Sequence, residues 1–247
     1  MRRRNVAAGW PAWLALALAW LCAAGVAAAE PAAHYRIEAR LDAKAGAVAA
    51  EVTVDLPRAG PETHFLLGER FILDSVTAGP GVKVAIERTD RPLRKLHDIV
   101  FRSSAPGPRR LTFRYHGPLD EAGGDLPSFS TGRMEIDLET MWLPIRQDLQ
   151  MPFTIDADIA GLPPALDVMT QGALVRHGDR LTLHRTVPDN DLTLAGARGL
   201  KLIKAPDVDF YAADPDDPLV AMLRKHAFGS AAWCRQVYGP PSPGPIV

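Results

Sequence analysis

The chain has 247 residues, of which 47% are hydrophobic and 23% charged, and this composition is typical of a globular protein with one large domain or with one domain and part of a second. The formal net charge is −1, and removal of the basic leader described below leaves 25 basic against 29 acidic residues, a net charge of −4. Composition therefore excludes a disordered or fibrous chain, and the charge balance predicts no nucleic-acid partner.

The first 29 residues are predicted to be a secretory signal peptide. A basic start, "MRRR", precedes an apolar run that ends with Ala27 and Ala29 at the small positions of a cleavage site, so we expect cleavage before Glu30. Cys22 follows Leu21, which is too large for a lipid-attachment signal. The predicted location is periplasmic or extracellular. An uncleaved leader would instead anchor the chain in a membrane, because an apolar run of about 20 residues can span one.

Residues 30–212 are predicted to form a mainly β domain, an antiparallel β-sandwich or saddle. "HYRIEARLD" alternates Tyr35, Ile37, Ala39 and Leu41 with charged residues, which is the period of a half-buried strand. Further strands are predicted in "AVAAEVTVDLP", "THFLLG", "ILDSVTA", "VKVAIER", "DIVFRS" and "RRLTFRYHG". Many short strands at this spacing indicate packed sheets.

The connections between these strands carry their own signals. Residues 43–46 are predicted to close the first hairpin, and Gly178-Asp179 is predicted to form a two-residue turn with glycine first. That turn places His177 opposite Arg180. Between Gly117 and Glu139 the pattern is Gly-rich and aperiodic, so the sequence predicts a long surface excursion there.

A helix is predicted over residues 216–238, at the start of a segment, 213–247, that we interpret as the beginning of a second domain. Asp and Pro open it, Gly239 ends it, and its apolar residues fall near one stripe. Cys234, the only cysteine left after leader removal, is predicted to be a small buried residue on this helix. One helix is not a domain, so the stripe has little to pack against within this chain.

No catalytic residue, metal ligand set or cofactor site is predicted within the chain. The seven histidines include no pair at the spacing of HExxH, and no nucleophile elbow, P-loop or dinucleotide motif is present. His184 is predicted to lie opposite Ala173 rather than beside His177, so the two histidines share no ligand.

The segment "LETMWLPIRQDLQMPFTIDADIAGLP" has an unusual composition. Glu139 precedes a bulky apolar cluster that includes Trp142, and Arg146 and Asp148 follow closely. One interpretation is that Trp142 belongs to the core and the charged residues form surface ion pairs worth under about 1 kcal/mol each. The other is that the charged residues form a functional site.

The order of these segments resembles the secreted zinc aminopeptidase family, the group of aminopeptidase N and leukotriene hydrolase. The resemblance lies in "YRIEARLDAKAGAVAAEVTVDL", "RRLTFRYHGPL", "ETMWLPIRQDLQMPFTIDADIAGLP" and "WCRQVYGPPSPGPIV". It implies an N-terminal β saddle followed by a catalytic domain, with Pro245-Ile246-Val247 beginning a strand of that domain. It also implies that HExxH and its zinc lie beyond residue 247, and that the complete protein acts on peptides.

The resemblance further implies that Glu139 binds the free amino group of the substrate, although "WLPIRQDLQMP" departs from the family's usual pattern after it. The first hypothesis is thus the N-terminal, substrate-anchoring domain of an exported zinc aminopeptidase-like protein, inactive alone. The alternative is a non-catalytic exported β-sandwich that serves as a binding or scaffolding protein.

Overall fold

The computed structural model describes residues 32–91, 94–120, 128–147, 152–204 and 209–239. The predicted signal peptide, its cleavage site before Glu30 and the predicted strand start at 245–247 lie outside these residues. Within them the chain is mainly β, as predicted, and one α-helix follows the last strand.

The strands coincide with the alternating segments of the sequence over most of the chain. They are β1 (Ala33–Asp42), β2 (Ala47–Ala59), β3 (Glu62–Gly68), β4 (Ile72–Ala78), β5 (Val82–Arg91), β6 (Arg94–Ser103), β7 (Gly107–Pro118), β8 (Arg133–Ile136), β9 (Ile145–Arg146), β10 (Phe153–Ala160), β11 (Asp167–Thr170), β12 (Ala173–His177), β13 (Arg180–Asp189), β14 (Leu194–Ala197), β15 (Lys201–Lys204) and β16 (Asp209–Ala212). A 3₁₀ helix spans Leu138–Thr140, and α1 spans Pro218–Tyr238.

The largest sheet has seven strands in the order β12-β13-β10-β1-β2-β7-β4. The predicted alternation of β1 is confirmed, since Tyr35 and Ile37 are almost fully buried while Arg36 is exposed. β1 pairs antiparallel with β2 through the predicted turn, but it pairs in parallel with β10, with Ala33 opposite Phe153. Parallel neighbours need a long crossover, and here the crossover contains every strand from β2 to β9.

A second sheet, with the order β5-β6-β3-β9, packs face to face against the first. Aromatic rings from both sheets meet in the core between them. The ring of Phe113 on β7 lies 5.3 Å from that of Phe65 on β3 and 5.7 Å from that of Phe101 on β6. These side chains are buried, so apolar burial between the two sheets is the main stabilising contribution.

The predicted surface excursion over Gly117–Glu139 is wrong in its second half. β8 lies inside it and joins a three-stranded sheet, β11-β14-β8, in which Met134 and Ile136 are buried. Phe129 is buried as well. A four-residue strand beside glycines contains too few residues to show a period, so the pattern alone did not reveal it. Residues 121–127 lie outside the described chain.

The predicted helix is confirmed. The Asp217 carboxylate caps its start by accepting a hydrogen bond from the Leu219 N–H at 2.7 Å, and Pro218 occupies the first turn. Gly239, at φ 88°, follows its last turn. No helix in the described part of the chain is long and apolar enough to cross a membrane.

The apolar stripe of α1 is exposed, and this overturns the prediction for Cys234. The thiol is exposed rather than buried, although the residue does lie on the helix. A helical period shows which residues share a face but not whether another element covers that face. The large apolar side chains exposed on α1 are Leu219, Met222, Leu223, Trp233 and Val237.

Candidate functional site

Glu139 lies in the middle of the short 3₁₀ helix and its side chain is exposed. Asp137 caps this helix, because one of its carboxylate oxygens accepts a hydrogen bond from the Thr140 N–H at 3.1 Å. The Thr140 hydroxyl in turn donates to the Asp137 carbonyl at 2.6 Å. Local hydrogen bonds therefore fix the turn that carries Glu139. We refer to residues 137–146 as the display segment.

The display segment contains an unusual backbone conformation directly after this turn. Met141 has φ 44° and ψ 36°, and it is the only non-glycine residue with positive φ in the described ranges. A side chain in the left-handed region costs roughly 1–2 kcal/mol. Such a conformation persists only where surrounding contacts enforce it, and it is enriched at functional sites.

The enforcing contacts are hydrogen bonds to the carbonyls of the display segment. The Tyr115 hydroxyl donates to the Trp142 carbonyl at 2.5 Å, and the Tyr35 hydroxyl donates to the Pro144 carbonyl at 2.9 Å. Burial raises the pKa of Tyr115 well above its ordinary value, and nearby Tyr35 adds to the shift, so the phenol stays protonated and remains a donor.

Two more donors bind the same stretch from the other side. The Gly68 N–H, at the end of β3, donates to the Met141 carbonyl at 3.0 Å. The Arg70 guanidinium donates to the Thr140 carbonyl, and its Nε donates to the Pro118 carbonyl at 3.0 Å. The same guanidinium lies 4.7 Å from the centre of the Phe71 ring. Carbonyls on both sides of Met141 are thus held.

Apolar side chains anchor the display segment below the exposed Glu139. Trp142 is 2% exposed and belongs to the main core, which confirms that part of the first interpretation of this segment. Its indole N–H is buried without a hydrogen-bond partner in the described chain. Met141 packs instead with Leu66 and Leu96 in a small separate cluster. The segment is therefore fixed by packing as well as by hydrogen bonds.

Of the two charged residues that follow the apolar cluster in sequence, only Arg146 lies in the described chain. Arg146 lies on β9, which pairs with β3 at the edge of the four-stranded sheet, with Arg146 opposite Phe65. Asp148 lies outside the described residues. The predicted surface ion pairs among these residues therefore remain a prediction.

A partly exposed ionic cluster that the sequence did not reveal lies next to β9. His64 Nδ1 is 3.0 and 3.1 Å from the two carboxylate oxygens of Asp98, and its Nε2 is 3.0 Å from the Glu62 carboxylate. The hydrogen bond with Glu62 is the largest cause that raises the pKa of His64, and Asp98 adds to it. The His64 carbonyl also accepts a hydrogen bond from the Gln147 N–H at 3.1 Å. The cluster therefore lies directly beside the end of the display segment.

The hairpin prediction for the histidines is confirmed, with His177 opposite Arg180 and His184 opposite Ala173. His184 contacts Asp156 instead, at 2.5 Å. His34 Nε2 lies 3.1 Å from the other oxygen of the Asp156 carboxylate. In the described part of the chain no group of three or more His, Cys, Asp or Glu side chains is arranged to hold a metal ion.

The chemistry that this arrangement supports is the binding of a cationic group. A carboxylate on a rigid turn, exposed to solvent, can accept charge-assisted hydrogen bonds from a cationic group such as an ammonium.

Comparison with known proteins identifies the fold. No family model matches the sequence, and no curated protein matches it. The chain is similar to a mutant of the M1 zinc metallopeptidase from Deinococcus radiodurans, with 18% identity and a TM-score of 0.51 over 85% of this chain and 54% of that one. It is also similar to yeast LTA4 hydrolase in complex with bestatin, with 14% identity and a TM-score of 0.52 over 73% of this chain and 30% of that one.

The described chain therefore has a mainly β fold, that of the N-terminal β domain of M1 zinc metallopeptidases. The chain spans about half the length of the Deinococcus protein and about a third of the yeast protein. At this level of identity the likeness defines the fold and not the activity.

Proposed function

We propose that this chain serves as the substrate-anchoring N-terminal domain of an exported zinc aminopeptidase-like protein. The observation that carries the proposal is the fold, which matches about half the length of a zinc metallopeptidase. The exposed apolar stripe of α1 is consistent with it, because that stripe needs a covering surface that the described residues do not supply.

In this proposal Glu139 binds the amino group at the start of a peptide substrate. The side chain is exposed, and the turn that carries it is fixed by hydrogen bonds and packing. A fixed carboxylate loses little conformational freedom when it binds an ammonium, so more of the interaction energy appears as affinity.

Zinc enters the proposal only as the cofactor of a catalytic domain outside these residues. The described side chains include no group of three or more His, Cys, Asp or Glu arranged to hold a metal ion. The contribution of this chain is to orient the peptide's amino end. Export rests on the signal peptide predicted over residues 1–29, and N-terminal sequencing of the exported protein should begin at Glu30.

The first experiment measures activity of the 247-residue chain. We expect no release of amino acids from aminoacyl anilides, with or without added zinc. Release that a chelator abolishes would contradict the proposal. The second experiment reads the DNA past the codon for Val247. An in-frame continuation that encodes HExxH supports the proposal, whereas a stop codon with nothing downstream favours the binding or scaffolding alternative.

With such a continuation, the sharpest test is kinetic. Glu139→Ala should raise KM for an aminoacyl anilide about tenfold or more, because a charge-assisted hydrogen bond is lost. Glu38→Ala is the matched control, since Glu38 is another exposed glutamate, on β1. Equal KM values for the two variants would remove the proposed role of Glu139.

A further inference from the structure

We infer that Tyr35, Arg70 and Tyr115 are positioning residues for Glu139. They hold the main chain of the display segment and so fix where the carboxylate points. The inference rests on the proposed function, because it assigns these residues a role in presenting Glu139 to a ligand that carries a free amino group.

The donors come from well separated parts of the fold. Tyr35 lies on β1 and Tyr115 on β7, both in the seven-stranded sheet, whereas Gly68 ends β3 of the four-stranded sheet. The display segment pairs with β3 through β9. It is therefore fastened to both sheets, and a relative shift of either sheet would move it.

Both hydroxyls are buried polar groups that need a hydrogen-bond partner, and each donates to a carbonyl of the display segment. Tyr35 is 2% exposed and Tyr115 is 1% exposed, and the Tyr115 hydroxyl donates only to the carbonyl of Trp142. The buried carbonyl of Trp142 needs a hydrogen-bond donor, and the Tyr115 hydroxyl supplies it. A phenylalanine at either position would pack equally well in the core, so the hydroxyl itself serves the display segment.

Arg70 is itself held in place by close packing of the main chain. A Cβ atom at Gly117 would lie 2.6 Å from the Arg70 carbonyl, so only glycine lets the end of β7 approach this closely. The Arg70 side chain then reaches Thr140, the residue next to Glu139. Its position follows from the fold rather than from a flexible surface loop.

The left-handed Met141 explains why three donors are needed. Its conformation is unfavourable for a residue with a side chain. Arg70, Gly68 and Tyr115 bind the carbonyl before it, its own carbonyl and the carbonyl after it, respectively. Loss of one donor removes part of the constraint. Because a net hydrogen bond contributes about 1 kcal/mol, the population of displaced conformers should rise about fivefold.

The first arm of the test measures local order in the 247-residue chain by ¹⁵N relaxation. In the wild type, the order parameters of residues 138–141 should equal those of the sheets, about 0.85. In Tyr115→Phe and Tyr35→Phe they should fall toward about 0.6. Arg70→Met should give the same result. Tyr211→Phe is the matched control, because Tyr211 lies on the separate β15–β16 hairpin. Unchanged order in all three variants overturns the inference.

The second arm measures binding of L-leucinamide, with N-acetyl-L-leucinamide as the ligand that lacks a free amino group. Tyr115→Phe should weaken leucinamide binding in the wild-type background and not at all in the Glu139→Ala background. An equal loss in both backgrounds overturns the inference, since Tyr115 would then act without Glu139. Loss of order at residues 138–141 without any wild-type preference for leucinamide supports positioning and refutes the proposed function.

Discussion

Replacement of Gly161 by alanine should destabilise the domain far more than the same replacement at Gly178. Both glycines have positive φ, 86° and 64°, so both substitutions incur the left-handed cost of roughly 1–2 kcal/mol. Each regains about 0.4–1 kcal/mol because alanine restricts the unfolded chain. The two differ in their surroundings. A Cβ at Gly161 would lie 2.0 Å from the Leu41 carbonyl oxygen, whereas nothing lies within 4 Å of one at Gly178.

The contact at Gly161 occurs where β10 leaves the parallel pair with β1. Leu41 must move to relieve the clash, but it is 3% exposed and packed in the core. Overpacking of this kind costs about 1–3 kcal/mol. We therefore expect Gly178→Ala to lose about 1 kcal/mol and Gly161→Ala about 3 kcal/mol. Urea unfolding followed by circular dichroism and tryptophan fluorescence measures both. Equal losses would refute the close approach of the two strand ends.

Two further predictions concern His64 and Cys234. The folded-state pKa of His64 is raised from 6.5, so the stabilisation by its ion pairs is fully present below pH 6.5 and is lost as pH rises through the folded pKa. The stability difference between wild type and His64→Gln should therefore shrink between pH 5.5 and pH 9 in urea titrations, and a constant difference would contradict it. Cys234 is exposed, so native protein prepared without residues 1–29 should react with one equivalent of a thiol reagent without denaturant. A need for urea would show that α1 is covered.

The parts of the fold that depend on local pattern were predictable from the sequence. The alternation in β1 and the capped helix α1 both have short-range signals, and the structure confirms them. The parallel pairing of β1 with β10 has no local signal, because its partners are about 120 residues apart and either strand could pair with several others. The prediction that Cys234 is buried was wrong for a related reason. The helical period shows which residues share a face of α1, but it does not show whether another element covers that face.

The candidate site likewise has a part that could be predicted from the sequence and a part that could not. Glu139 and Trp142 could be singled out from the sequence, because a carboxylate beside a bulky apolar cluster is unusual. The residues that hold them could not be found from the sequence. Tyr35 lies 109 residues from Pro144, whose carbonyl it binds, and Tyr115 lies 27 residues from Trp142, whose carbonyl it binds. The His64 cluster likewise joins residues 34 apart in sequence. Only the pairing of β3 with β6 brings these side chains together.

The geometry also explains how the sequence after Glu139 can depart from the resembled family's pattern without loss of the turn. Four donors bind main-chain carbonyls, which every residue type supplies, so this part of the constraint does not depend on side-chain identity in the display segment. The side chains that hold the turn are instead the hydroxyls at positions 35 and 115 and the guanidinium at position 70. A search for the same site in another sequence should therefore begin with those distant donors, and the identity of the residues that flank the carboxylate should matter less than its spacing from Trp142.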